Sequence, residues 1–251
     1  MGLSHQYAQQ YRWRSWHHAY SFLPRLEGSR VLDLGCGIGD QSVDLARLGA
    51  QLTGLDGDAD LIEVAQRRQI TGATFLRGDV RQPAVRGQFD GIWASFIAAY
   101  FPDLQPVLAY WKRLLRPGGW IALTEVSDLF AHGPLPAEVR MLLEAYSLES
   151  YHAGRYDFSM GAKVEQHLLN AGFHLQTHQI LSDEELSFDG AASQEVQAAW
   201  SARLERMARL RAFARQAQVD LQQELLNCLA SPAHQTECRV HFCLACLPGR
   251  P

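Results

Sequence analysis

The chain has 251 residues, 47% of them apolar and 20% charged, with a formal net charge of −4. That length supports one α/β domain with a sizeable core and a helical cap. The acidic balance gives no overall attraction for a polyanion, so no nucleic-acid partner is expected without a local basic patch.

No apolar run approaches the roughly 20 residues of a membrane span. The N-terminus lacks the continuous apolar stretch of a secretory signal. The five scattered cysteines suit a reducing cytoplasm better than a disulfide scaffold. The expectation is a cytoplasmic protein, monomeric or homodimeric, that does not engage a membrane.

Residues 1–28 are rich in aromatics and histidine, with Tyr7, Tyr11 and His18 spaced like one helical face. They read as an N-terminal lid helix, closed by Pro24 and Gly28. Strands and helices then alternate. Val31 to Leu34, Gln51 to Leu55, Thr74 to Leu76, Phe89 to Ala94 and Trp120 to Val126 read as strands. Asp40 to Leu48 and Asp103 to Leu115 read as helices, and Asp58 can cap a third that carries Leu61, Ile62 and Ala65. Pro117-Gly118-Gly119 is expected to stop the second of these helices. Such alternation implies parallel strands joined by right-handed crossovers, hence a doubly wound sheet.

The second half is more helical. Glu138 to Ser150, Ala162 to Ala171 and Leu221 to Leu229 read as helices. A long helix is expected from near Ser193, carrying Trp200, Leu204, Met207 and Leu210 and reaching Phe213. Its arginines, Arg203, Arg206, Arg209, Arg211 and Arg215, alternate with apolar residues and read as one solvated face. His174 to Leu181 is a sixth strand, and Cys238 to Ala245 has the period of a strand. No linker divides the chain. The expectation is a single domain with a core at 30–126, cap insertions at 127–160 and 183–232, and remaining core elements at 162–182 and 236–247.

The chemistry concentrates in Val31-Leu32-Asp33-Leu34-Gly35-Cys36-Gly37-Ile38-Gly39. An apolar strand enters a loop with glycine at every second position, which lets a ligand approach the backbone. The dinucleotide fingerprint is G-x-G-x-x-G, with a helix N-terminus aimed at a pyrophosphate. Here the spacing is G-x-G-x-G, and Asp33 precedes the loop. A carboxylate there repels pyrophosphate and suits a cation, such as the amino group of a methionine moiety. Asp56, ending the second strand, can accept from both hydroxyls of a ribose. Asp79, in Gly78-Asp79-Val80, can take an adenine amine, with the Val80 N–H reaching a ring nitrogen.

These pieces, with Phe89-Asp90-Gly91-Ile92-Trp93-Ala94 and Leu114-Leu115-Arg116-Pro117-Gly118-Gly119, resemble the class I S-adenosylmethionine-dependent methyltransferases over residues 30–126. The resemblance implies a Rossmann-like seven-stranded sheet, mostly parallel, with helices on both faces. Its last strand, here Cys238 to Ala245, runs antiparallel between strands five and six. It implies S-adenosyl-L-methionine as donor and S-adenosyl-L-homocysteine as product. The cofactor contacts expected are Asp33, Gly35, Cys36, Gly37, Asp56, Gly57, Asp79, Val80 and Ala94. After the fourth strand the sequence is Ala94-Ser95-Phe96-Ile97, not the Asn-or-Asp-Pro-Pro-aromatic motif of nucleic-acid amino-methyltransferases. A small-molecule acceptor is therefore favoured.

No catalytic residue is fixed. Tyr11, His17, Glu125 and Tyr156 are candidates, and His18, His132 and His152 are further bases by chemistry. The plainer reading of any one histidine is a surface or packed side chain. Cys243-x-x-Cys246 reads as plain strand cysteines, since residues three apart on a strand face opposite ways, and no metal is expected. Three alternatives stay open: a non-catalytic protein that binds S-adenosylmethionine, an RNA methyltransferase, and an NAD-dependent oxidoreductase.

Overall fold

Runs of buried apolar residues set the architecture. In the first strand, Val31, Leu32 and Leu34 are all fully buried, as expected of a central parallel strand covered on both faces. The computed structural model describes residues 3–249, so the first two residues of the expected lid lie outside the described residues.

The first half runs α1 (Leu3–Arg12), α2 (Trp16–Tyr20), β1 (Arg30–Leu34), α3 (Asp40–Arg47), β2 (Gln51–Asp56), α4 (Ala59–Arg67), β3 (Ala73–Arg77), β4 (Phe89–Ser95), α5 (Leu104–Leu114) and β5 (Leu115–Ser127). The second half runs β6 (His132–Gly133), α6 (Ala137–His152), α7 (Val164–Asn170), β7 (His174–Leu181), α8 (Gln194–Arg206), α9 (Ala208–Gln216), α10 (Leu221–Ala230), β8 (Gln235–Thr236) and β9 (Arg239–Cys246).

Seven strands form one sheet in the order β3-β2-β1-β4-β5-β9-β7. β9 is antiparallel to both neighbours, while β1 to β5 pair in parallel. The expected sheet, with its last strand inserted between the fifth and sixth, is the one observed. β6 and β8 make a separate two-stranded ribbon. One apolar cluster covers one face of the sheet and includes Trp93, Trp200, Val240 and Phe242. A second covers the other face and includes Ile92, Trp111 and Cys243. β4 thus sends Trp93 one way and Ile92 the other, as a period of two requires. Cys243 belongs to one cluster and Cys246 packs against the other. The two thiols therefore face opposite sides of β9.

Three local expectations are corrected. The N-terminal aromatic segment is two helices, not one, broken where Arg14 bridges to Asp183. The long helix after Ser193 is also two: Met207 takes a non-helical backbone and separates α8 from α9. The strand at 120–126 begins five residues earlier than expected, at Leu115, because Leu115 already pairs with Phe89 and the glycine turn lies within the extended run. Caps were more legible. Asp58 accepts the Asp60 and Leu61 N–H groups and so starts α4, and Ser193 accepts the Val196 N–H and starts α8.

Candidate active site

The strand order reverses at β1. The chain steps outward to β2 and β3, then returns to β4 on the other side of β1. Loops at the carboxyl ends of such strands enclose the binding crevice of open α/β sheets. The loop after β1 does so here. Gly35, Gly37 and Gly39 all have positive φ, at 72°, 53° and 80°. At Gly35 an added Cβ would lie 2.4 Å from Cγ2 of Ile97. Glycine is therefore needed there both for the left-handed backbone and for the approach of Ile97. At Gly37 the same atom would lie 3.6 Å from the Tyr7 ring, which places that ring beside the loop.

Asp56 ties the loop down. Its Oδ2 accepts the Gly37 N–H at 2.9 Å, and its Oδ1 accepts the Asp58 N–H at 2.9 Å. The Gly35 and Cys36 N–H groups donate to the Leu55 carbonyl. A carboxylate oxygen has capacity for more than one donor, so Asp56 retains acceptor sites towards the crevice.

A cavity of about 680 Å³ opens over this loop. It is within the roughly 300–1,000 Å³ of small-molecule sites. Its floor is the loop of Gly35, Cys36 and Gly37 with Asp56, and its inner wall is Ser95, Phe96 and Ile97 after β4. Tyr7 and Tyr11 reach in from α1. The far wall is Tyr146, Tyr156 and Phe158, and the roof carries Arg203, Arg206, Met207 and Arg209.

Of the residues expected at the site, Gly35, Cys36, Gly37, Asp56, Tyr11 and Tyr156 line this cavity together. Asp33, Gly57, Asp79, Val80, Ala94, Glu125 and His17 are not part of its lining. Asp33 is buried behind the loop and accepts from the Ser42 hydroxyl. Burial raises its pKa to about 7, and its Oδ1 has no partner among the described residues. Asp79 is exposed and held bidentately by Arg81. The hydrogen bonds from Arg81 lower its pKa. The Val80 carbonyl accepts the Trp111 indole N–H at 2.7 Å. Ala94 is buried in β4. His17 is exposed on α2.

Glu125 is wholly buried under the short turn Ala98–Tyr100. Its Oε1 accepts the Ala99 N–H at 3.2 Å, and burial raises its pKa to about 8. Among the catalytic candidates, the Tyr11 hydroxyl donates to Asp44. Burial pushes the Tyr156 phenol well above its ordinary pKa, and Glu125 pushes it further. The other histidines expected as bases stand apart from the cavity. His132 is buried, stacked on His234, and His152 ends α6 in solvent.

Sequence reasoning missed the roof. The expected solvated arginine face is corrected at Arg203, whose guanidinium meets Glu185 at 2.6 Å with the glutamate side chain fully buried. Arg206, Arg209, Arg211 and Arg215 are exposed as expected, but Arg206 and Arg209 also line the cavity, whereas Arg211 and Arg215 do not. Helical spacing alone gives no sign of this, because it is the same whether a face meets water or a cavity. Tyr100 and Tyr146 were also missed, since nothing local distinguishes them from core aromatics.

The sheet order, the glycine loop and the Asp56 carboxylate together define a Rossmann-like fold with its crevice over the loop. Residues 32–123 match the family model described as a methyltransferase domain. The chain is 31% identical over 161 residues to a ubiquinone biosynthesis O-methyltransferase of Xanthomonas euvesicatoria, covering 60% of this chain and 65% of that protein. It is 33% identical over 105 residues to a trans-aconitate 2-methyltransferase of Deinococcus radiodurans, covering 41% of this chain and 40% of that one. The fold matches an S-adenosylmethionine-dependent methyltransferase of Mesorhizobium loti with a TM-score of 0.55 at 19% identity, over 92% of this chain and 96% of that one. The chain spans just under two thirds of the length of the ubiquinone-pathway relative.

Residues 32–123 are thus similar to the methyltransferase domain family, and the fold is that of class I S-adenosylmethionine-dependent methyltransferases. A domain of that kind takes S-adenosyl-L-methionine as donor and gives S-adenosyl-L-homocysteine as product. The residues present fit that group. The loop leaves backbone open to the cavity, Asp56 has acceptor capacity beside it, and the cavity of about 680 Å³ continues past it to Tyr146, Tyr156 and Phe158. Among the described residues no helix is long and apolar enough to cross a membrane.

Proposed function

We propose that this protein transfers a methyl group from S-adenosylmethionine to an oxygen, nitrogen or sulfur atom of a small-molecule metabolite. The observation that carries the reading is one cavity with two ends. The glycine loop and Asp56 line one end, and an aromatic chamber continues beyond Ser95, Phe96 and Ile97. A non-catalytic binding protein needs no such chamber. The relatives are named as an O-methyltransferase of ubiquinone biosynthesis and a trans-aconitate 2-methyltransferase, which supports a small-molecule acceptor here.

The donor, when bound, supplies a methyl group on a sulfonium that is already a good leaving group. The protein therefore mainly has to align acceptor with donor and exclude water. Gly35, Cys36 and Gly37 present backbone to the donor, and Asp56 accepts from ribose hydroxyls. Asp33 acts from behind the loop, and Gly57, Asp79, Val80 and Ala94 flank the nucleoside end. Tyr156, kept a neutral phenol by burial, orients the acceptor by hydrogen bonding and does not act as a phenolate base. Tyr11 is engaged by Asp44 and shapes the wall. Glu125 props the turn that carries Tyr100. The 1–28 segment serves as a lid on the same domain. The five unpaired cysteines support a cytoplasmic setting.

Calorimetry with S-adenosylmethionine, S-adenosylhomocysteine and NAD tests the reading. The expected result is binding of the first two and none of NAD. Binding of NAD alone would overturn it. A screen of small metabolites for methyl transfer then identifies the acceptor.

A further inference from the structure

We propose that Arg206 and Arg209 form an oxyanion subsite for the methyl acceptor, and that the acceptor is a small carboxylate or phosphate ester. This rests on the methyl-transfer reading above and names its substrate class.

The cavity is electrically polarised. Its cofactor end carries Asp40, Asp56 and Asp58, while Arg14, Arg155, Arg203, Arg206 and Arg209 also line it. Four of these eight charges are already paired. Asp40 pairs with Arg68, and Arg155 pairs with Glu149. Arg14 pairs with Asp183 and Glu185, and Arg203 pairs with Glu185. Arg206 and Arg209 are different. Arg206 donates to the Ala202 carbonyl at 3.2 Å. Among the described residues neither it nor Arg209 meets a carboxylate. Two guanidinium groups thus line one cavity with no carboxylate at ion-pair distance, while Asp56 and Asp58 lie at its cofactor end.

The backbone puts them there. Arg206 is the last residue of α8 and Arg209 lies in the first turn of α9. The break at Met207 separates the two helices, and Met207 itself lines the cavity. Arg211 and Arg215, further along α9, lie outside it; all four side chains are exposed, and only Arg206 and Arg209 reach the cavity rim. The polarity of the cavity is felt at Tyr7, which lies against Gly37. Burial raises its pKa, Asp56 raises it further, and Arg206 and Arg203 oppose. Burial and the neighbouring Arg203 charge also disfavour the charged form of Arg206. An anion there relieves that repulsion.

Guanidinium groups match carboxylate and phosphate oxygens bidentately, at roughly twice the strength of neutral hydrogen bonds. An acceptor anchored at the roof by its anion presents its other end across the aromatic chamber towards the loop. The donor carries a carboxylate of its own, so the test must separate the two molecules.

The protein, saturated with S-adenosylhomocysteine, is titrated calorimetrically with benzoate, phenyl phosphate and neutral benzamide. At least one of the two acids should bind, with benzamide weaker by about tenfold or more. Benzoate alone assigns a carboxylate acceptor, and phenyl phosphate alone a phosphate ester. The double variant R206Q/R209Q should lose about tenfold or more of that affinity while keeping its affinity for S-adenosylhomocysteine within about twofold. The control R211Q should match the wild type.

The proposal is overturned if neither acid binds, if benzamide binds as tightly as both, or if the double variant binds them unchanged. It is also overturned if the double variant loses S-adenosylhomocysteine instead, which assigns the arginines to the donor's carboxylate. A wild-type protein that binds no S-adenosylhomocysteine at all strikes the methyl-transfer reading, and that is measured first.

Discussion

The Arg203 guanidinium meets the Glu185 carboxylate at 2.6 Å in the roof of the cavity, with no Glu185 side-chain surface exposed. Gln10 donates to the same oxygen, and Arg14 reaches the other. Burial acts to raise the pKa of Glu185. Arg203 and Arg14 outweigh it, and the net shift is downward. One carboxylate thus joins α1, the segment after β7, and α8. Breaking a buried pair leaves an uncompensated charge and costs about 3–5 kcal/mol. Because Arg14 stays on Glu185, Arg203→Met should destabilise by less than that, about 1–3 kcal/mol in urea unfolding, and R203M/E185Q should recover part of the loss. Additive single and double variants would show that the two residues do not act as a pair.

Asp56 has the clearest test at the cofactor end. Its two oxygens already hold the Gly37 and Asp58 N–H groups, and a ribose would add hydroxyl donors. Hydrogen bonds to charged groups contribute about 1.5–3 kcal/mol. Asp56→Ala should thus weaken S-adenosylhomocysteine binding roughly ten- to a hundredfold in calorimetry. Asp56→Asn should lose less, because it keeps one acceptor. Unchanged affinity in the alanine variant would mean the ribose lies elsewhere.

The contrast between Asp56 and Arg206 shows what the sequence could reveal. Asp56 was legible because its role is local: a strand ends, a turn follows, and the acidic residue sits at the end of β2 beside a glycine loop. The same holds for Asp58 and Ser193 as caps, and for β9 with its alternating faces. Arg206 was not legible. Its meaning depends on the break at Met207 and on which neighbours already hold acids, and both are tertiary facts. Asp33 is intermediate. Its sign argued for a cationic ligand, but β1 is buried on both faces, so its side chain ends against Ser42 behind the loop. Asp79 was placed at a turn correctly by sequence, yet Arg81 two residues on holds its carboxylate away from the cavity.

Glu125 predicts a pH dependence of stability. Its pKa rises in the fold, from an ordinary 4.5 to about 8, chiefly through burial. The folded state therefore binds its proton more tightly than the unfolded state does. Its contribution is fully present below about pH 4.5 and is lost as pH rises through about 8. Glu125→Gln keeps an acceptor for the Ala99 N–H and cannot ionise. The variant should match the wild type at pH 5 and exceed it in thermal midpoint at pH 9, with the difference growing between the two. Asp33 titrates in an overlapping range, so the difference between variant and wild type is the quantity to follow. Parallel curves would mean Glu125 stays accessible to water.

Gly35 separates two demands made on the cofactor loop. Its φ is 72°, and a Cβ there would meet Ile97 Cγ2 at 2.4 Å. Gly118 has nearly the same φ, 75°, with nothing within 4 Å of an added Cβ. Gly118→Ala should therefore cost only the left-handed backbone term, about 1–2 kcal/mol. Gly35→Ala carries that term and also displaces Ile97, a crowding cost of about 1–3 kcal/mol. Because Ile97 lines the cavity beside the loop, its displacement should weaken S-adenosylhomocysteine binding as well. Gly118→Ala, on a turn away from the cavity, should leave that binding unchanged. Denaturant unfolding and calorimetry on both variants decide the matter. Equal stability losses with equal binding would mean that Ile97 moves aside freely and that Gly35 is needed for its backbone angle alone.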